Sequence, residues 1–141
     1  DLLDLRQLPL ERVGDDVEVH PAEVREAQLQ HELQMTAHDL AFEIQRFCQQ
    51  LEVFDLKLQD LVEATPKHRD TRARLQAAAR ALVERRDLFE RLLATRRLPI
   101  RALMGETGLS RKVLESGRRY VIGIALVLGG GYEGMRAQLD I

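Results

Sequence analysis

Apolar residues in this chain recur at the spacing of an α-helix and nowhere at the two-residue alternation of a strand. The clearest run is Leu33, Ala37, Leu40, Ile44, Phe47 and Leu51, spaced 4-3-4-3-4, which draws one stripe along a helix. Glu32, Asp39, Glu43 and Gln50 fall outside it. The heptad-like spacing lasts under three heptads, so the stripe is expected to pack in a core instead of forming a free coiled coil. Pro21 suits the first turn of this helix, where a missing N–H costs nothing. A short helix is predicted near Leu56 to Ala64, presenting Leu58, Leu61 and Val62. Thr65 and Pro66 then read as an N-cap and first helical residue, opening a helix that runs to about Val83. Its apolar face is Leu75, Ala78, Ala79 and Leu82, and its other face carries Arg69, Arg72, Arg74 and Arg80. Another helix lies around Leu88 to Leu93, and Pro99 restarts the chain. The fold class is all-α, a compact bundle of five to seven helices.

At 141 residues and 45% hydrophobic content, the chain suits one domain with a real core, burying roughly two-thirds of the surface its unfolded form exposes. Residues 1–20 keep no sustained period and hold Pro9, Gly14 and the acids Glu11, Asp15, Asp16 and Glu18, so they read as a linker or arm. The division expected is an arm at 1–20, a helical subdomain at 21–97, and a C-terminal unit at 98–141. The single cysteine, Cys48, excludes an internal disulfide and fits a reducing compartment. No signal peptide is visible in Asp1 to Leu10. The longest apolar run, Val121 to Leu128, is interrupted by Gly123 and is shorter than the roughly 20 residues that span a bilayer. With no Trp and 4% aromatics, a stacking platform for single strands is not expected.

The net charge of −2 hides an asymmetry. Residues 1–64 hold 15 acidic and 5 basic side chains, net −10, while residues 65–141 hold 8 and 16, net +8. A basic half is the electrostatic footprint of phosphate binding. The cations are mostly arginine, 18 against 3 lysines, and arginine suits bidentate contacts to phosphate and guanine. A GC-rich genome would give the same Arg/Lys ratio, but it would not separate the two halves. The acidic helix (Glu23, Glu26, Glu32, Asp39, Glu43) is either a plain solvated face or a surface that docks on basic groups.

Residues 99–128 carry the functional signal. Ile100 to Met104 read as a short helix, Gly105 to Gly108 as a tight turn, and Ser110 as the N-cap of a second helix. Short helix, glycine turn and second helix make the helix-turn-helix layout. Leu103, Leu109 and Leu114 occupy its packing positions, whereas Thr107 and Gly117 are poor occupants of two other apolar slots. Read as one long helix at about 100° per residue, the segment after Ser110 gathers Arg111, Lys112, Glu115, Arg118 and Arg119 within roughly 120°. Val113, Gly117, Tyr120, Val121, Ile124 and Leu128 take the opposite arc. Such a face suits a major-groove reader: arginine donates to guanine, glutamate accepts from cytosine, and the remaining cations hold phosphates. It would equally suit a solvated face or a protein-binding one. Gly117 and Gly123 each weaken a helix by about 1 kcal/mol relative to alanine, so a neighbouring helix or the nucleic acid is expected to approach closely there. Gly129 to Gly131 should end the helix, and the tail should fold back through Met135 and Leu139.

The stretch from Leu98 to Tyr132 resembles the C-terminal domain of the sigma-I family of bacterial RNA polymerase sigma factors. Ser110, Arg111, Lys112, Leu114, Glu115, Arg118, Tyr120, Gly130 and Tyr132 occupy positions of that family's pattern. Pro66, Lys67, His68, Arg69 and Asp70 match its Pro-Lys-His-x-Asp sequence, and the likeness extends over roughly residues 30–139. The triple glycine Gly129 to Gly131 stands where the family usually has Ser-Gly-Asp. The resemblance implies a cytoplasmic bacterial transcription-initiation protein that recruits the polymerase core and reads the promoter −35 element. It also implies control by a membrane-anchored anti-sigma factor through that partner's cytoplasmic N-terminal domain, in stress responses or polysaccharide sensing. The DNA-facing residues it implies are Ser110, Arg111, Lys112, Glu115, Arg118 and Arg119. The family's upstream region 2, which grips the polymerase and melts the −10 element, has no counterpart here, so a C-terminal fragment is expected. The reading from another class is a helical module whose Arg-rich face binds a protein.

No enzyme, metal or cofactor is expected. His31 and His38 stand seven residues apart with no H-E-x-x-H or Cys/His grouping. His20 and His38 have no ligand partners in sequence, and His68 reads as a capping or packing residue with no nucleophile beside it. The run Gly129 to Gly131 follows a helix, not a strand, and so lacks the context of a phosphate loop.

Overall fold

The computed structural model describes the backbone of residues 24–139 and the side chains from Ala37 onward. The expected arm at 1–20, Pro21, His20 and the side chains of Glu23, Glu26, His31, Glu32 and Leu33 lie outside the described residues. Eight helices follow one another within them: α1 Val24–Val53, α2 Leu58–Ala64, α3 Arg69–Glu84, α4 Arg86–Thr95, α5 Ile100–Thr107, α6 Arg111–Ser116, α7 Arg118–Gly129 and α8 Glu133–Leu139. The all-α bundle read from the sequence is the observed class. The count reaches eight because Gly117 divides one expected helix and the tail forms its own.

The most apolar segment of the chain becomes the centre of the bundle. Every residue from Tyr120 to Val127 is buried, so α7 has no solvent face along most of its length, and α3 is its principal neighbour. The α3 stripe of Leu75, Ala78, Ala79 and Leu82 is buried as the periodicity predicts. The glycines of α7 and its N-cap explain how three neighbouring helices approach so closely. A Cβ on Gly117 would lie 2.5 Å from Cδ1 of Leu75 in α3, and one on Gly123 would lie 2.7 Å from Cδ1 of Leu61 in α2. On Gly129 it would meet Phe89 of α4 at 2.5 Å. Each glycine is a hollow filled by one side chain. Of the two visitors left open by the sequence, the neighbouring helix is the one found.

One polar pair sits inside this core. Gln76 is 2% exposed, and its Nε2 donates to the Tyr120 hydroxyl at 3.2 Å, so a buried amide and a buried phenol satisfy one another between α3 and α7.

The C-terminal tail folds back as expected, with Met135 and Leu139 buried. What holds it is less expected. Both carboxylate oxygens of Glu43 accept from the first turn of α8, from Gly134 N and Met135 N at 3.0 Å each. The Tyr132 hydroxyl donates to Gln50 Oε1 at 2.6 Å, and its ring meets Phe47 edge-on at 5.3 Å, with the Arg46 guanidinium 5.1 Å from its centroid. Burial in this nest pushes the Tyr132 phenol above its ordinary pKa, partly offset by Arg46. Glu43 and Gln50, which lie outside the apolar stripe, therefore tie α1 to the tail and do not form a solvated face.

Two boundaries differ from the sequence reading. Thr65 closes α2 instead of opening α3: its N–H reaches Val62 O and its hydroxyl donates to Leu61 O at 2.9 Å. The chain then bends through Pro66 and Lys67 to His68, the N-cap position of α3, which makes no side-chain cap bond. Arg72, expected on the exposed cationic face, turns toward this linker, where its Nη1 donates to Pro66 O at 2.9 Å. The second boundary is the end of α5. That helix continues through Gly105 to Thr107, so the turn is three residues, Gly108 to Ser110, not Gly105 to Gly108.

Candidate nucleic-acid interface

The turn between α5 and α6 is fixed by its own residues. Gly108 takes φ 75°, ψ 3°, a left-handed conformation that glycine adopts without strain, and its N–H reaches Met104 O. Thr107 does more than fill an apolar slot poorly: its hydroxyl donates to Leu103 O at 2.6 Å and accepts from Leu109 N at 3.2 Å. Ser110 caps α6, with Oγ accepting from Val113 N at 3.2 Å. Leu103 and Leu114 are fully buried, and Leu109 packs against the core with part of its surface exposed. The Ser110 cap and the packing residues Leu103 and Leu114 thus act where the sequence pattern put them, while the turn is shifted to Gly108 to Ser110.

The expected long second helix is instead two segments. Gly117, at φ −95° and ψ 12°, ends α6 and precedes α7. Its N–H still bonds to Val113 O at 3.0 Å, and its own C=O accepts from Val121 N at 2.9 Å. The pattern of burial survives the break. Arg111, Lys112, Glu115, Arg118 and Arg119 are all exposed, while Leu114, Gly117 and Tyr120 are buried. Gly117 cannot be replaced by a larger packing residue because Leu75 occupies the space.

Four cations and one carboxylate therefore share the outer surface of α6 and the start of α7. Arg111 Nη1 lies 3.5 Å from Glu115 Oε1, one helical turn away; such an exposed pair is worth little and leaves both groups free to exchange partners. Lys112, Arg118 and Arg119 have no ion-pair partner among the described residues. Glu115 is the single acid between Thr107 and Tyr132. Ser110, the sixth residue of the expected interface, has its Oγ engaged in the cap.

A further contact at the edge of the unit could not be read from spacing. Arg85, at the elbow between α3 and α4, pairs with Glu106 of α5 and with Asp87, the latter at 3.1 Å. Asp87 is held below its ordinary pKa, first by its hydrogen bond from Arg85. Beside this bridge, Arg74, Ala77, Ala81, Glu106, Thr107 and Leu109 line a shallow groove of about 310 Å³.

No family model matches the chain. Among curated proteins, it is 38% identical over 91 residues to the RNA polymerase sigma factor SigI4 of Acetivibrio thermocellus, covering 64% of this chain and 33% of that protein. It is 32% identical over 122 residues to the RNA polymerase sigma factor SigI of Bacillus subtilis, covering 84% of this chain and 48% of the relative. A third relative, SigI6 of A. thermocellus, is 35% identical over 64% of this chain and 36% of its own length. The chain is a sigma-I family domain. It spans about a third to a half of the length of these relatives. As a member of a sigma-factor family, this sigma-I domain is not an enzyme. Among its described residues no helix is long and apolar enough to cross a membrane, and no three His, Cys, Asp or Glu side chains come together as a metal site. Its one cysteine, Cys48, is half-buried; burial, with Glu52 nearby, pushes the thiol up.

Proposed function

We propose that this sigma-I domain is the C-terminal part of an alternative RNA polymerase sigma factor that recognises the promoter −35 element. In this reading α5, the Gly108 turn and α6 form a helix-turn-helix. Arg111, Lys112, Arg118 and Arg119 contact phosphates and guanine edges, and Glu115 discriminates bases. Ser110 starts the reading helix and faces the DNA with them. The observation that carries the proposal is the exposed cationic surface of α6 and early α7, joined to the names of the relatives. A bacterial cytoplasmic location, the polymerase core as partner, and inhibition by a membrane-anchored anti-sigma factor complete the reading and rest on family membership alone.

Substitution separates base reading from phosphate holding. Arg118→Ala and Glu115→Ala are expected to cost about 1–3 kcal/mol where they read a base and to relax preference at that position. Lys112→Ala is expected to weaken all sequences alike and to flatten the salt slope by about one. Fluorescence anisotropy on labelled duplexes reads both. If Arg118→Ala and Glu115→Ala alter neither affinity nor preference, the recognition surface is misassigned. The second reading, a protein-binding module, is favoured by the groove beside Arg74 and Leu109 and predicts binding without a steep salt dependence.

A further inference from the structure

The candidate recognition surface is carried by two helical segments, and one joint sets how they stand to each other. Arg111, Lys112 and Glu115 belong to α6, and Arg118 and Arg119 to α7. In an unbroken helix their mutual angles would follow from the period of the helix alone. Gly117 interrupts it, with ψ 12° in place of the roughly −42° of an α-helix. The turn of the α7 arginines relative to the α6 group is therefore set by whatever holds the joint.

Consecutive residues of α3 hold it. Leu75 fills the space where a Gly117 side chain would stand, and Gln76 Nε2 donates to the Tyr120 hydroxyl at 3.2 Å. Gly117 and Tyr120 bracket Arg118 and Arg119. The two contacts differ in kind. An apolar contact has no direction and lets a helix turn or slide, whereas a hydrogen bond weakens steeply as its angle departs from a line. Gln76 and Thr65 are the buried polar side chains of the described core. Thr65 bonds locally, to Leu61 O, while Gln76 bonds across to another helix. An apolar pair of the same shape would be about as stable, so stability does not account for an amide and a phenol at this point.

We infer that Gln76 is a positioning residue for base reading: through Tyr120 it fixes the turn of Arg118 and Arg119 relative to Arg111, Lys112 and Glu115. The inference rests on the recognition reading above and adds a buried residue that touches no DNA. Base reading demands this register, because side chains of both segments must reach base edges at hydrogen-bond distance at once. Phosphate contacts carry no sequence information, and an exposed arginine side chain is long enough to keep one when its helix turns a little. Loss of the pair should therefore lower preference and leave non-specific affinity in place.

The test compares wild type, Gln76→Met, the double variant Gln76→Met/Tyr120→Phe and, as a core control further along α3, Leu82→Val. Each is followed by thermal melting and by anisotropy on a native and a scrambled duplex at two salt concentrations. The double variant is expected to keep its Tm within about 3 °C of wild type, because both polar groups leave together. Its preference for the native duplex should fall about three- to tenfold. Affinity for the scrambled duplex should stay within about twofold, and the salt slope should not change, since every cation remains. Gln76→Met should lose preference as well, whereas Leu82→Val should lower Tm and keep it. Preference retained in both Gln76 variants would overturn the inference. So would a loss shared equally by the two duplexes, or the same loss of preference in Leu82→Val, because Gln76 would then be a core residue like any other. If wild type prefers the native duplex and Arg118→Ala loses that preference while the Gln76 variants keep it, the inference fails and the recognition reading stands. If wild type shows no preference at all, the recognition reading fails and the inference falls with it.

Discussion

Replacing Gly123 by valine is expected to destabilise the domain by about 2–4 kcal/mol, the upper part of the range for overpacking a core. A Cβ at this position would lie 2.7 Å from Leu61 Cδ1, and Leu61 is fully buried, so its side chain has no solvent to move into. Leu61→Ala alone is expected to cost about 3 kcal/mol through the cavity it leaves. In the double variant the two errors compensate, because the added methyl groups enter the space the leucine vacated. The coupling should recover at least about 1 kcal/mol relative to the sum of the single changes. Urea unfolding of the four proteins measures it, and strictly additive effects would show that the helix contact is not the reason for the glycine.

The second large effect concerns the tail. Glu43→Ala removes two charge-assisted hydrogen bonds to the first turn of α8 and is expected to cost about 2–3 kcal/mol. The loss should be local: α8 amides should lose hydrogen-exchange protection while those of α3 and α7 keep most of theirs. Glu43→Gln, with one acceptor oxygen, should fall between. A protected α8 in Glu43→Ala would mean that Met135, Leu139 and Tyr132 alone anchor the tail.

The residues legible in the sequence are those whose role is local or periodic. The stripe Ile44, Phe47 and Leu51 and the α3 stripe are buried because a 3.6-residue period is itself the geometry of a helix face. The Ser110 cap and the Gly108 turn are legible because each acts within a few residues of itself. Thr65 misleads because a threonine before proline suits the start of one helix as well as the end of another; only the Leu61 carbonyl within reach of its hydroxyl decides. Glu43 looks like an outer residue because its partners, Gly134 and Met135, are about ninety positions away. The break at Gly117 is hidden for a related reason. Gly117 stands there with its side-chain space taken by Leu75 of another helix, and no spacing within α6 and α7 records that neighbour. At the candidate interface the exposed set Arg111, Lys112, Glu115, Arg118 and Arg119 is legible as a face, whereas the Arg85–Glu106 pair beside it joins two segments with no shared pattern.

The claim that this surface reads duplex DNA is tested most directly by anisotropy of the wild-type domain. The probes are a duplex from the region upstream of its own gene and a scrambled duplex of equal composition, at two salt concentrations. The account predicts tighter binding to the native duplex at both salts, with affinity for each falling along a slope of about −0.9 per phosphate contacted. Equal affinity for the two duplexes at both salts, or binding that ignores salt, would contradict it.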